Sequence, residues 1–136
     1  MKKLGQGGES EVLLGRIVEK EATGKTKEFA ERMVTDHGKG NAELLKISKE
    51  KRFSVPQSMD DEHKKFEAKL DKEKRGRDYD RTYIDEMVKD HKRDLQDFER
   101  ASKEVRDPAL KQWVDENKKI VEEHLDLAEK IQKELQ

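Results

Sequence analysis

Apolar residues recur at intervals of three and four positions along almost the whole chain, and no segment alternates between apolar and polar residues as a half-buried strand does. This spacing predicts helices that each carry one apolar face. Interruptions at TGKT, FSVPQS, Gly76 and Asp107-Pro108 divide the pattern into five helices, at about 9–22, 26–52, 58–76, 78–106 and 108–135. Residues 1–8 are predicted to form a flexible lead-in, and residues 9–136 a single helical-bundle domain.

Charged residues make up 46% of the chain, but the net charge is only −1, which argues against a disordered chain. Lysine and glutamate residues are interleaved, as they are on solvated helix faces. No face or segment is dominantly basic, so we predict no binding to nucleic acid. The chain has no cysteine, which excludes disulfides and thiolate nucleophiles. No apolar run approaches the roughly 20 residues that a transmembrane segment needs.

A five-residue word, Met-Val-x-Asp-His, occurs at residues 33–37 and again at residues 87–91. Pairing each residue with the one 54 positions later also aligns Phe29 with Tyr83. In this alignment the first helix corresponds to the third, and the longer second helix to the longer fourth. Neither short-plus-long unit can bury its apolar face alone. We therefore predict an all-α bundle of four to five helices, with an internal twofold repeat and a closing fifth helix.

All four histidines of the chain fall in register with the apolar faces: His37, His63, His91 and His124. A buried imidazole that lacks a partner costs on the order of 1–3 kcal/mol. The rings must therefore pair with one another, with the inward Asn41 and Asn117, with acidic residues, or with a metal ion. The acidic residue that precedes each histidine points about 100° away around the helix, so we expect it on the surface or behind the ring rather than as a ligand.

Repeat symmetry predicts His37 and His91 at similar depths on facing helices, with His124 at the same level. A histidine cluster between bundle helices can hold zinc, copper, nickel or iron. Met33 and Met87, one turn before two of the histidines, are outside candidates as thioether ligands, although core filling is the favoured interpretation. Gly38 and Gly40 flank the histidine of the second helix, and each costs on the order of 1 kcal/mol relative to alanine.

The initial stretch QGGESEVLLGRIVEKEATGKTKEFAERMVTDH, the stretch YDRTYIDEMVKDH and the segments DPALKQW and EHLDLA resemble the bacterial domain-of-unknown-function family 4142. The resemblance covers nearly the whole chain. It implies a ferritin-like helical bundle that is exported behind a signal sequence absent from this chain, and hence a periplasmic or extracellular location. The family-like residues include Glu11, Phe29, Met33, Asp36, His37, Asp80, Tyr83, Met87, Asp90, His91, His124 and Leu125.

Di-iron sites of ferritin-like proteins need Glu-x-x-His on two helices. Valine stands three positions before His37, His91 and His124, and only Asp60-x-x-His63 comes close to the motif. The usual di-iron oxidase chemistry is therefore not expected. The chain also lacks a recognisable nucleophile–base pair and a phosphate-binding glycine loop, which favours a non-enzymatic role.

Three functional interpretations remain, and the least favoured of them is a redox or hydrolytic enzyme with a mononuclear metal ion. The favoured one is a structural or interaction protein of the bacterial envelope, with a buried histidine network and either an unknown protein partner or self-association. The alternative is a bundle that binds a divalent transition metal ion. Its predicted ligands are His37, His91 and His124, with Glu11 or Asp80 as partners and His63 as an outside candidate.

Overall fold

The computed structural model describes residues 1–136, and it confirms the predicted all-α bundle. The five helices are α1 (Lys2–Glu21), α2 (Gly24–Lys51), α3 (Asp61–Asp71), α4 (Arg77–Glu104) and α5 (Pro108–Leu135). No helix combines the length and the apolar character that a transmembrane segment requires. Asp107 caps α5 as its sequence indicates, because its side chain accepts a hydrogen bond from the backbone N–H of Leu110 and Pro108 begins the helix.

Residues 2–8, which the sequence predicts as part of a flexible lead-in, form the first turns of α1. Glycine disfavours an isolated helix, but here tertiary packing outweighs that preference. Gly5 is buried, and a Cβ atom at this position would lie 2.4 Å from Cγ1 of Val55. A Cβ atom at Gly8 would lie 2.4 Å from Oδ1 of Asn41 in α2. The glycines therefore allow α1 to approach its neighbours closely.

The bundle consists of α1, α2, α4 and α5, and the tightest pairs are α1 with α2 and α4 with α5. Contacts at the helix ends give the directions. Thr23, just before α2, donates a hydrogen bond to Asp80 in the first turn of α4, with the two oxygens 2.6 Å apart. At the opposite end, Lys51 of α2 forms a 3.0 Å ion pair with Asp107 at the start of α5. Hence α2 and α4 run parallel, and α5 runs against them.

The sequence predicts that the third helix pairs with the fourth, but in the structure α4 packs mainly against α5. The 11-residue α3 is too short to cover the apolar face of the 28-residue α4, which pairs with α5 instead. The short helix lies in the long connection that returns from the end of α2 to the start of α4. A single long crossover is a feature of ferritin-like folds. The ferritin-like assignment and the internal repeat stay predictions.

A polar layer interrupts the core. On one side lies the larger apolar cluster, which contains Phe29, Met33 and Met87, and on the other a smaller cluster around Leu44 and Trp113. The buried polar side chains between them include Glu11, His37, His91 and His124. Because α2 and α4 are parallel and have 28 residues each, the 54-residue offset brings the two copies of the repeated word to the same level.

The two glycines of α2 have different surroundings. A Cβ atom at Gly40 would lie 2.3 Å from Oδ1 of Asn117, whereas a Cβ atom at Gly38 would meet nothing within 4 Å. The carbonyl of Gly40 also accepts a 2.8 Å hydrogen bond from Nε1 of Trp113. Asn117 is held in turn, because its Nδ2 donates to the carbonyl of Trp113 at 2.8 Å. Gly40 is therefore a close-packing position, and Gly38 is not.

We expect Gly38→Ala to raise the free energy of unfolding by up to about 1 kcal/mol, the helix-propensity gain. Gly40→Ala makes the same gain, but it displaces Asn117 and should lower the free energy of unfolding by about 1–2 kcal/mol overall. Urea denaturation of the two variants, two positions apart on one helix, measures the difference. Equal effects at both positions would contradict the close packing of Gly40 against Asn117.

Candidate metal centre

Three of the four histidines meet between α2, α4 and α5. The ring centroids of His37 and His124 are 5.0 Å apart, those of His91 and His124 are 5.8 Å apart, and those of His37 and His91 are 6.1 Å apart. One ring nitrogen from each residue lies within 4.8 Å of the other two. All three rings are buried, and His91 and His124 are fully so. We call these residues the histidine triad.

Each ring of the triad has a buried nitrogen without a hydrogen-bond partner: Nε2 of His37, Nε2 of His91 and Nδ1 of His124. The opposite nitrogen of His91 lies 2.7 Å from the carbonyl oxygen of Met87. That of His124 lies 2.8 Å from Oδ2 of Asp36. A nitrogen that faces such an acceptor carries the proton, so the other nitrogen keeps its lone pair. Metal-ligating histidines are oriented in the same way.

Glu11 of α1 brings a carboxylate to the triad. Its side chain is 2% exposed, and its Oε2 lies 2.9 Å from Nε2 of His37 and 3.9 Å from Nε2 of His91. The atoms are close but are not aligned for a hydrogen bond. Burial alone would raise the pKa of the Glu11 carboxyl, yet the neighbouring His91 and His37 hold it well below its usual range. Each of the four bundle helices thus contributes one potential ligand.

Burial also determines the protonation state of two triad rings. Burial and the proximity of His37 lower the pKa of His124 to about 4. Burial lowers the pKa of His91 as well, against the opposing effect of the Glu11 carboxylate. The His124 imidazole is therefore neutral at pH 7, which is the state that binds a metal ion.

The triad has an apolar side and a polar side. The Phe29 ring packs edge-on against His91 and His124, with centroids 6.2 Å apart in each case, and against Tyr83 at 6.1 Å. The Tyr83 hydroxyl is buried without a hydrogen-bond partner, and burial raises its pKa well above the usual value. On the polar side, a cavity of about 130 Å³ touches Glu11 and His37.

The fourth histidine, His63 of α3, lies outside the triad. Asp60, the N-cap of α3, accepts a 2.8 Å hydrogen bond from the backbone N–H of His63 and lies 2.7 Å from its Nδ1. The other ring nitrogen, Nε2, lies 3.3 Å from Oδ2 of Asp90 in α4. Burial alone would lower the pKa of His63, but Asp90 and Asp60 raise it to about 9. In the metal-free protein this imidazolium joins α3 to α4.

The family described as "Domain of unknown function (DUF4142)" matches residues 1–131 of the 136-residue chain. The chain belongs to the DUF4142 family. This confirms the resemblance that the two Met-Val-x-Asp-His words and their flanking segments carry. No functionally curated protein and no solved structure shows significant similarity to the chain.

Several predicted site residues of this DUF4142 protein lie away from the triad. Asp80 precedes His91 by eleven residues, about three helical turns. Its carboxylate accepts the hydrogen bond from Thr23 at the far end of α4. The prediction of Asp80 as a ligand is therefore wrong. Met33 and Met87 are fully buried in the larger apolar cluster, as expected for core residues.

Sequence reasoning missed part of the site. The two inward asparagines do not pair with a histidine. Asn41 donates a hydrogen bond to Glu9, and Asn117 donates one to the carbonyl of Trp113. Asp94 was not predicted, although it follows His91 by three positions on the same helix face. One of its carboxylate oxygens lies within 4.8 Å of ligand atoms of Glu11 and His91. Burial and the nearby Glu11 carboxylate raise the pKa of Asp94 to about 10, so it is protonated at pH 7.

We expect the stabilising effect of His63 to depend on pH in the chelator-treated protein. The pKa of this residue is raised from 6.5 to about 9 on folding, so its contribution is complete below pH 6.5 and is lost as the pH rises through 9. The stability difference between wild type and His63→Gln should therefore shrink between pH 6 and pH 9. Urea denaturation at several pH values measures this difference in the free energy of unfolding. Phe66→Leu on the same helix is the control, and its effect should not vary with pH. A His63→Gln effect that stays constant over the same range would refute the imidazolium assignment.

Proposed function

We propose that this DUF4142 protein binds a divalent transition metal ion in the centre of its bundle. The ligands are His37, His91 and His124 of the triad, and Glu11 is the fourth. The observation that carries the proposal is the set of three buried ring nitrogens without hydrogen-bond partners, which come from three helices. Left without a metal ion, Nε2 of His91 and Nδ1 of His124 each cost on the order of 1–3 kcal/mol, whereas Nε2 of His37 lies 2.9 Å from the Glu11 carboxylate.

The type of donor indicates the class of metal ion. Three imidazoles and one carboxylate suit zinc, copper, nickel and iron, whereas calcium and magnesium prefer sites made only of oxygen. Affinity for such nitrogen and oxygen ligands rises from Fe²⁺ to Cu²⁺ and falls again at Zn²⁺. The neutral His124 and the ionised Glu11 are already in the protonation states that ligation requires.

The contacts behind the ligands support the same proposal. The carbonyl of Met87 and the carboxylate of Asp36 each hold a triad ring by its outer nitrogen and turn the inner nitrogen toward the centre. This outer support fixes the tautomer and makes the ligand more basic. In a purely structural histidine network the inner nitrogens would hydrogen-bond to one another. They do not do so, and this favours metal binding over the network interpretation.

A location in the bacterial envelope is a second part of the proposal, and it is supported by the family resemblance alone. In that setting the protein would bind metal ions outside the cytoplasm. A structural role with a protein partner or through self-association is compatible with metal binding.

We expect purified wild-type protein that is equilibrated with Zn²⁺ and then desalted to retain zinc, and the zinc to raise the melting temperature. The double variant His37→Ala/His91→Ala should lose the tightest-bound zinc and this thermal shift, because two triad ligands are gone. Elemental analysis and calorimetry measure the two effects.

The matched control is Met33→Leu/Met87→Leu, which changes the residues one helical turn before the same two histidines and should retain the zinc. Circular dichroism checks that both double variants are folded. Absence of retained zinc in the wild type, or unchanged affinity in the histidine variant, would refute the proposed function.

Removal of the support behind one ligand should weaken binding without abolishing it. We expect Asp36→Ala to lower the zinc affinity by about 10–100-fold at unchanged stoichiometry, because the His124 ring loses its partner. Titration calorimetry measures both quantities. Asp85→Ala is the control, since Asp85 contacts Arg81 and Gln132 at the surface. If the two variants bind zinc equally well, Asp36 does not orient a ligand.

A further inference from the structure

We propose that a second divalent metal ion binds beside the triad, held by His63, Asp90 and Glu11, so that Glu11 is shared by both ions. This inference rests on the proposed function and adds a second position to it. The second position involves α3, which lies outside the four helices that surround the triad.

The three ligands of this second position come from three helices. One ring nitrogen of His63 and one carboxylate oxygen each of Asp90 and Glu11 all lie within 4.8 Å of one another. The side chains are almost completely buried, with exposures of 5% for His63 and 2% for each of the two acids. A further carboxylate, that of Asp94, lies within 4.8 Å of Glu11 and His91. The ligand sets therefore overlap at Glu11.

The second position also has buried polar atoms without partners. Nε2 of His63 and Oε2 of Glu11 have no hydrogen-bond partner. The outer nitrogen of His63 is held by Asp60 at 2.7 Å, so the inner nitrogen points at Glu11 and Asp90. This carboxylate–histidine arrangement is the one that Asp36 and His124 form in the triad.

Asp90 keeps one oxygen for the second position. Its Oδ1 accepts a 3.2 Å hydrogen bond from Nη2 of Arg93, while Oδ2 faces Nε2 of His63 at 3.3 Å. In the metal-free protein the proton on His63 neutralises this oxygen. A metal ion that displaces the proton of His63 brings its own positive charge to the same place. The buried Asp90 carboxylate therefore faces a positive charge in both states.

Charge around the two positions favours cations. The cavity beside them touches Glu11 and His37 of the first set and Glu11 and His63 of the second. Because Asp94 is protonated and His63 is an imidazolium, the charged groups of its lining are four carboxylates, of Glu11, Asp60, Glu62 and Asp97, and three cations, of Lys3, Arg93 and His63. Its volume of about 130 Å³ accommodates several water molecules, which can complete the coordination of two ions.

The arrangement differs from the paired Glu-x-x-His motifs of di-iron bundles. The histidine of the second position, His63, comes from the crossover helix α3. The three imidazoles of the triad lie together on the other side of Glu11. A metal ion at the second position would fix α3 to α1 and α4, which α3 otherwise contacts little. The order of α3 should therefore depend on metal content.

The test is the zinc stoichiometry of the full chain, measured by elemental analysis after equilibration and desalting and by titration calorimetry. We expect two equivalents in the wild type and one in His63→Ala, which keeps the triad. Phe66→Leu removes packing from the same helix and leaves the ligands intact, so it should retain two. Should His63→Ala fail to fold, Asp90→Asn provides the same test and should also bind one equivalent.

The outcomes separate this inference from the proposed function. A wild type that saturates at one equivalent, with that ion dependent on the triad, overturns the second position and leaves the first in place. Two equivalents in both His63→Ala and Asp90→Asn also overturn it. A wild type that retains no zinc overturns both proposals.

Electron paramagnetic resonance of the Cu²⁺-loaded protein tests whether the two ions are neighbours. Two copper ions that share Glu11 should give a spin-coupled spectrum in the wild type. In His63→Ala the spectrum should become that of an isolated ion. A wild type that holds two copper ions with uncoupled spectra would overturn the shared role of Glu11.

Discussion

Burial of a carboxylate among imidazoles is the interaction on which the centre of this bundle depends. Glu11 is almost inaccessible to solvent, and removal of a charge from water is costly unless it is paired. The rings of His37 and His91 supply the compensation, and their effect on its pKa outweighs that of burial. The two apolar clusters lie on either side of these side chains, and the lower local dielectric strengthens the interactions between them. The polar layer and the apolar core are therefore parts of one arrangement.

The same carboxylate connects two groups of potential ligands. Towards α2, α4 and α5 it meets the triad, and towards α3 it meets His63 and Asp90. The two groups are in different protonation states in the metal-free protein. His124 is neutral because it is buried beside His37, whereas His63 is protonated because two carboxylates flank it. Residues of the same type thus behave differently because their neighbours differ, and a metal ion at the second position would have to displace the proton of His63.

Most of the triad can be predicted from the sequence, because the spacing of residues along parallel helices determines the level at which their side chains meet. Residues 33–37 and 87–91 occupy equivalent positions on two helices of equal length, so their histidines reach the same level as long as the helices are parallel. The prediction of Asp80 failed for the opposite reason. It rested on a family resemblance, without the helix geometry that places Asp80 three turns away from His91 and beside Thr23. Asp94 obeys the same spacing rule, because it follows His91 by three positions on one helix face.

The periodicity of apolar residues determined that the chain is all-helical, and the register of the histidines determined that their rings point inward, because both depend only on the geometry of a single helix. The tertiary structure alone decided which helices pair, that residues 2–8 are helical, and that Glu11 rather than Asp80 meets the triad. It also decided that Asp36 supports His124, a residue 88 positions away. Such contacts depend on how whole helices pack against one another. The spacing of residues along the chain does not specify this packing, because it depends on the path of the crossover between α2 and α4.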